Sequence, residues 1–189
     1  CPVGGDAVGE KIAKILGVTA DKSSRKIAYV KCMGTCDKSE QIYNYYGALD
    51  CNRVSVTPGR GAKACAYGCI GLGSCVSACQ FGGIKVVNGR AYISREDCKG
   101  CGACVNACPN NLIELVPYDA KYIVSCFSQE KGKTVKDTCK AGCIGCGICQ
   151  KICPSGAITL KNNIAKINYE KCTSCGKCAE KCPSKVIVK

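Results

Sequence analysis

The sequence predicts an α+β fold made of small units held by metal, with one unit used twice. Three observations predict it. Cysteine supplies 22 of 189 residues, whereas aromatics are 6%, Trp is absent and Phe occurs only as Phe81 and Phe127. Units with so thin a core are ordinarily held by metals or disulfides. The cysteines also repeat. Cys65, Cys69, Cys75, Cys79, Cys98, Cys101, Cys104 and Cys108 recur 74 positions on as Cys139, Cys143, Cys149, Cys153, Cys172, Cys175, Cys178 and Cys182, with no insertion or deletion. Between the cysteine runs, short alternating apolar stretches separated by turn residues recur at the same offset. Such an internal repeat indicates duplicated structural units.

Four stretches follow in order. Residues 1–26 hold one short helix and a polar linker, Thr19 to Lys26. Asp6 is positioned to cap a helix carrying Val8, Ile12, Ile15 and Leu16 on one face, and Gly17 to stop it; such a face ordinarily packs on its own domain. Residues 27–64 begin with a strand-like run, Ile27 to Val30, carry Cys32, Cys36 and Cys51, and end in a basic Gly-rich loop, Pro58-Gly59-Arg60-Gly61, with Gly59 to Lys63 read as a flexible link. Residues 65–117 form the first repeat and 118–189 contain the second. In each repeat a strand (Gly83 to Val87, Ala157 to Lys161), a turn (Asn88-Gly89, Asn162-Asn163) and a second strand (Ala91 to Ile93, Ala165 to Ile167) read as a hairpin. A further strand begins at Leu112 and at Val186. A similar prelude stands before both repeats: Tyr29-Val30-Lys31-Cys32 and Ile123-Val124-Ser125-Cys126. A Lys- and Gly-rich loop is expected from Cys126 to Cys139.

Charge and cysteine usage narrow the function. The formal charge of +13 would suggest a nucleic-acid partner, but it treats every thiol as neutral. A four-iron cubane on four thiolates carries about −2 when oxidised, so four of them would offset about 8 charges. Lys140, Lys151, Lys177 and Lys181, beside cysteine runs, then read as local compensation, and no nucleic-acid partner is expected. No apolar run reaches about 18 residues, and no secretory leader is evident. The chain has no His, so it offers no imidazole base or ligand. Gly71-x-Gly73 lies inside a cysteine run, and Gly59-Arg60-Gly61-Ala62-Lys63 lacks phosphate-loop spacing, so nucleotide is expected to bind elsewhere. No catalytic residue is expected.

The spacing decides for metal over disulfides, because neighbouring thiols in Cys-x2-Cys-x2-Cys compete and strain as disulfide partners. Zinc needs four ligands from two pairs and gives no economical account of triplets followed by Cys-Pro. A triplet does wrap three corners of an iron–sulfur cubane. The full run Cys-x2-Cys-x2-Cys-x3-Cys-Pro occurs at Cys98, Cys101, Cys104, Cys108, at Cys143, Cys146, Cys149, Cys153, and at Cys172, Cys175, Cys178, Cys182.

Residues 65–189 thereby resemble two tandem bacterial two-cluster ferredoxins, in which the fourth Cys of each run serves the other cluster. The resemblance implies four [4Fe–4S] sets. Cys79, Cys98, Cys101 and Cys104 hold one; Cys143, Cys146, Cys149 and Cys182 a second; Cys153, Cys172, Cys175 and Cys178 a third. The fourth set has Cys69, Cys75 and Cys108, but Leu72 stands where the second repeat has Cys146. Either Cys65 replaces it, or the cluster is a three-iron species, or the site is empty; Cys65 is the simplest substitute. Cys32, Cys36 and Cys51 can supply three ligands of a fifth cluster, with Cys65, Cys126 or Cys139 as the fourth; the alternative is buried free thiols. Cys65 cannot serve both sites. Glycines such as Gly100, Gly102, Gly145, Gly147 and Gly176 allow backbone amides to approach cluster sulfur, and Lys99 or Lys177 would raise a nearby potential.

Cys1-Pro-Val-Gly-Gly, Cys32-Met-Gly-Thr-Cys36-Asp, Asp50-Cys51 and Gly68-Cys69-Ile-Gly-Leu-Gly-Ser-Cys75 resemble the clostridial-type B subunits of the Rnf complexes, membrane-bound ion-translocating ferredoxin:NAD oxidoreductases. The resemblance covers nearly the whole chain. It implies an electron-transfer subunit that takes electrons from reduced ferredoxin and relays them through its clusters to other Rnf subunits, with no substrate chemistry of its own. It also implies a place at the cytoplasmic face of an anaerobic bacterium's membrane, with an N-terminal anchor and a cluster domain ending at Cys1-Pro2. A polyferredoxin subunit of another oxidoreductase, hydrogenase- or formate-linked, is the alternative.

Overall fold

In the computed structural model, residues 4–19 and 25–189 are described. The Cys1-Pro2 motif, the Asp6 side chain and most of the polar linker before Lys26 lie outside that description. The first helix, α1 (Gly5–Leu16), is capped by Gly4 and not by Asp6, which falls in its first turn; Gly17 ends it at φ 70°, its N–H bonded to Ala13. Its expected packing does not form. Ala13 is buried, but Ile12, Ile15 and Leu16 are 45%, 84% and 68% exposed.

Four two-stranded antiparallel ladders organise the rest. In each repeat a hairpin is joined by a second, long-range pair. The strand β1 (Lys26–Val30) pairs with β4 (Ile113–Pro117), in register from Lys26–Pro117 to Val30–Ile113. The hairpin β2 (Ile84–Val87) and β3 (Arg90–Ile93) lies between them in sequence. In the second unit β5 (Ile123–Val124) pairs with β8 (Ile187–Val188), and β6 (Ile158–Lys161) with β7 (Ile164–Ile167). The expected boundary at residue 65 is thus crossed by a sheet: β1 closes the first unit, and residues 31–64 are a long excursion from it.

The hairpins form where the turn chemistry permits. Asn88 and Gly89 have φ 49° and 68°, and Asn162 and Asn163 have φ 51° and 60°. Both central residues at positive φ match the right-handed twist of the strands. Burial repeats with the sequence: β2 and β6 share one inward pattern, β3 and β7 another.

Short helices carry the cysteines: α3 (Ser74–Ser77), α4 (Ala103–Asn106), α6 (Ile148–Lys151) and α7 (Lys177–Glu180). Each follows a glycine with left-handed backbone; Gly102 and Gly176, at φ 82° and 81°, are two of them. That conformation costs an L side chain about 1–2 kcal/mol, so glycine lets the chain reverse between one cysteine and the next. Two further helices were not expected. Cys51–Ser55 forms α2, capped by Asp50. Gly132–Thr138 forms α5 where a loop was read, because Val135, 1% exposed, anchors it inward. The start of the expected flexible link, Gly59 to Lys63, falls in a 3-10 turn, Pro58–Arg60, and Arg60 donates to the Pro109 carbonyl.

Each unit has its own small core. The first gathers Ala28, Val30, Ile84, Ala91, Leu112 and Ile113; the second gathers Val124, Ile158, Ile164, Ala165, Val186 and Ile187. Burying one such aliphatic side chain contributes roughly 1.5–3 kcal/mol. Ile27, Val116 and Ile123 pack together across the two units. Beside that seam the Tyr29 hydroxyl hydrogen-bonds the Ser125 hydroxyl.

Candidate metal centres

Both cores are apolar on one side and lined with thiols on the other. In the second unit Cys143, Cys146, Cys149 and Cys182 line one cavity, the grouping expected from the run spacing. Cys143 and Cys146 come from the loop leading into α6, Cys149 lies within α6, and Cys182 follows α7, so the two short helices bring the set together. In the first unit Cys79, Cys98, Cys101 and Cys104 line a cavity with Lys99. The backbone N–H of Ala28 donates to the Cys98 sulfur at 3.3 Å. Cys172 and Cys175 stand near Cys178, and Cys153 packs on the same core as Cys178.

The Leu72 site departs from the expectation. Its cavity is lined by Cys51, Cys69, Cys75 and Cys108. Cys65 is not there; it lines a different cavity. The reason lies in α2. Asp50 caps that helix through the Asn52 N–H at 2.9 Å and accepts a bond from the Ser74 hydroxyl at 3.0 Å, while the Cys51 N–H donates to that hydroxyl at 2.7 Å. Ser74 is the neighbour of Cys75, so the cap delivers Cys51 to the thiol group that Leu72 leaves short.

The grouping of Cys32, Cys36 and Cys51 likewise does not form. Cys36 is exposed, accepts a bond from the Gln41 side chain at 3.4 Å and lines none of these cavities. Cys32 lies with Cys65, Cys126 and Cys139 in a cavity where the two units meet. No ligand-run spacing in the sequence marks Cys51 as the partner of Cys75. The signals were the Asp50 cap and the missing cysteine at 72.

The donor sets fit clusters. All the described cysteines are free thiols. Among the described residues no group of three or more carboxylates or thiols is set to hold a single metal ion. A tetrahedral zinc, with Zn–S near 2.3 Å, would draw its sulfurs to within about 4 Å of each other; a four-iron cubane spans a wider set of sulfurs. Backbone amides also point at sulfur: Leu112 N–H to Cys108 at 3.4 Å and Ala157 N–H to Cys153 at 3.3 Å. Such bonds raise cluster potentials by stabilising negative charge.

Burial sets the thiols' acidity. It pushes Cys75 up to about 12, assisted by Cys69, Cys51 and Cys108, and Cys149 up to about 11, assisted by Cys143. Cys153 differs. Burial acts upward on it too, but bonds from Ser155, Ala157 and Ile158 together hold it below the ordinary thiol value. Metal binding must displace the protons of the buried thiols.

Two family models of cluster-binding domains match parts of the chain. A 4Fe-4S dicluster domain matches residues 142–186, and a 4Fe-4S double cluster binding domain matches residues 97–156. The chain is an iron–sulfur protein with several [4Fe–4S] clusters on an α+β ferredoxin-type scaffold. Relatives extend the likeness beyond those segments. The B subunit of the Na(+)-translocating ferredoxin:NAD(+) oxidoreductase complex of Acetobacterium woodii is 42% identical over 173 residues, 91% of this chain. The B subunit of the proton-translocating ferredoxin:NAD(+) oxidoreductase complex of Clostridium ljungdahlii is 43% identical over 91% of the chain, and that of the ion-translocating oxidoreductase complex of Methanosarcina acetivorans is 41% identical over 92%. The chain is similar to these B subunits over nearly all of its own length. It spans 52%, 61% and 66% of their respective lengths. Among the described residues no helix is long and apolar enough to cross a membrane.

Proposed function

We propose that this chain relays single electrons from a reduced low-potential ferredoxin, through clusters held in its two units, to other subunits of a membrane ion-translocating oxidoreductase. The observation that carries the proposal is the set of cavities each lined by four thiols in the two units. Cys51, Cys69, Cys75 and Cys108 hold one cluster and Cys79, Cys98, Cys101 and Cys104 its neighbour. Cys143, Cys146, Cys149 and Cys182 hold the next, and Cys153, Cys172, Cys175 and Cys178 the last. When bound, the clusters supply one-electron chemistry.

The residues of the chain itself hold the clusters, tune them and set where electrons enter. Cys101, Cys146 and Cys175 are exposed, so three of the sets reach the surface where a partner protein docks. Lys99 lines the first of these cavities, and Lys151, Lys177 and Lys181 are exposed beside the others. A cationic rim of this kind accelerates encounter with an acidic partner, and salt screens it. The names of the B-subunit relatives support the ferredoxin donor and the multisubunit, ion-translocating partner. Those names carry sodium in one case and protons in another. The proposal is tested by mixing the reconstituted chain with reduced acidic ferredoxin under argon. Cluster absorption bleaches, and the rate falls as salt rises; no electron uptake would refute the relay.

A further inference from the structure

The four sets leave Cys32, Cys65, Cys126 and Cys139, which line one cavity between the two units. We propose that these four thiols hold a fifth [4Fe–4S] cluster, which joins the two units into a single electron path; the proposal rests on the relay reading above.

The set is built symmetrically by the duplication. Cys32 and Cys126 each follow the opening strand of a unit, β1 and β5. Cys65 and Cys139 each stand four positions ahead of the next cysteine in their run, Cys69 and Cys143. Each unit therefore contributes half a cluster's ligands to the junction. With this assignment every cysteine except Cys1 and Cys36 has a place in a set of four.

A second, independent feature points to an anionic occupant. Lys63 lines the same cavity, is 5% exposed, and its ammonium donates to the carbonyls of Gly34 at 2.7 Å and Gly89 at 2.6 Å. Among the described residues it has no carboxylate partner, whereas Lys31, which also lines the cavity, is paired with Glu114 at 2.8 Å. A buried ammonium left without an anion is costly. A four-thiolate cubane, at about −2, supplies that anion. A single zinc ion does not suit the site, since among the described residues no group of three thiols is set to hold one ion.

The junction touches a cluster site on either side. The Cys69 N–H donates to the Cys32 sulfur at 3.4 Å, and the Cys143 backbone hydrogen-bonds the Cys126 sulfur. Cys69 and Cys143 belong to the facing sets of the first and second units. One electron from a cluster of one unit reduces the junction cluster by one and then passes to the other unit. No bond is made or broken, and reduced ferredoxin is the ultimate reductant.

Anaerobic native mass spectrometry of the reconstituted full chain tests this, because it reads clusters molecule by molecule. The fully loaded species carries about 20 irons, against about 16 without the junction site. Cys65→Ala and Cys126→Ala, one from each unit, each lower that maximum by about four irons, and the double variant loses no more than either one. Cys36→Ala loses none. A wild-type maximum of about 16, single variants that keep about 20, or a double variant that loses about 8 overturns the junction site. The wild-type count decides even if a variant fails to fold. A chain with about 16 irons that ferredoxin still reduces would sink only this inference; a chain that ferredoxin cannot reduce would sink the relay reading instead.

Discussion

Replacing Cys51 by Ala isolates the most unexpected ligand assignment. The substitution removes one sulfur from a cavity whose other thiols are Cys69, Cys75 and Cys108. It leaves the Asp50 cap in place, because that cap is made by the Asp50 side chain, the Asn52 N–H and the Ser74 hydroxyl. The scaffold should therefore survive while the site becomes three-coordinate. A site with three cysteines either keeps a three-iron cluster or empties. The loss is then about one to four irons from a total of about 20, or roughly 5–20%. Iron and sulfide assays with EPR of the oxidised protein measure it, since a three-iron product adds a paramagnetic signal that cubanes lack in that state. A second substitution sharpens the test. Leu72 occupies the repeat position of Cys146, and the flanking Gly71 and Gly73 line the cavity. Leu72→Cys should restore iron to the Cys51→Ala protein and leave Cys65→Ala deficient. The reasoning fails if Cys51→Ala keeps full iron and an unchanged spectrum, or if Leu72→Cys rescues Cys65→Ala instead.

Two further outcomes follow from the same geometry. Leu112 is 1% exposed in the first unit's core, so Leu112→Ala should cost about 2–5 kcal/mol by cavity formation, read from denaturant midpoints of the holo-protein; a loss under about 1 kcal/mol would mean the core carries little of the stability. Cluster loading should depend on pH. Burial holds thiols such as Cys75 protonated well above neutrality, up to about 12, so binding iron releases protons. Reconstitution at limiting iron should therefore improve from about pH 7 towards pH 9, where thiols ordinarily begin to ionise; a yield independent of pH would contradict the displacement of protons.

Much of the site was legible because cluster ligands obey local spacing. The runs from Cys98 and from Cys172, the glycines before α4 and α7, and the Asn-Gly and Asn-Asn turns are each local signals, and the 74-residue repeat aligns them. What escaped was long-range. The pairing of Lys26 with Pro117 has no local signature, so residues 27–64 read as a separate region when β1 belongs to the first unit. Cys51 and Cys65 exchanged their expected places for the same reason. A free cysteine ahead of a ligand run looks like the natural spare, yet position is decided by which helix cap docks beside Cys75. The amphipathic pattern of α1 was correct as a helix, but sequence cannot say whether an apolar face finds a partner, and among the described residues this one does not.

The central claim, that the chain conducts electrons through its cysteine-bound clusters, is tested most directly by stopped-flow mixing of the anaerobically reconstituted protein with excess reduced ferredoxin, following cluster absorption and counting electrons taken up. The account predicts rapid bleaching and uptake of several electrons per chain, with one electron fewer where Cys51→Ala empties its site. A chain that stays unbleached, or that takes up the same number of electrons after its cluster cysteines are replaced, would contradict it.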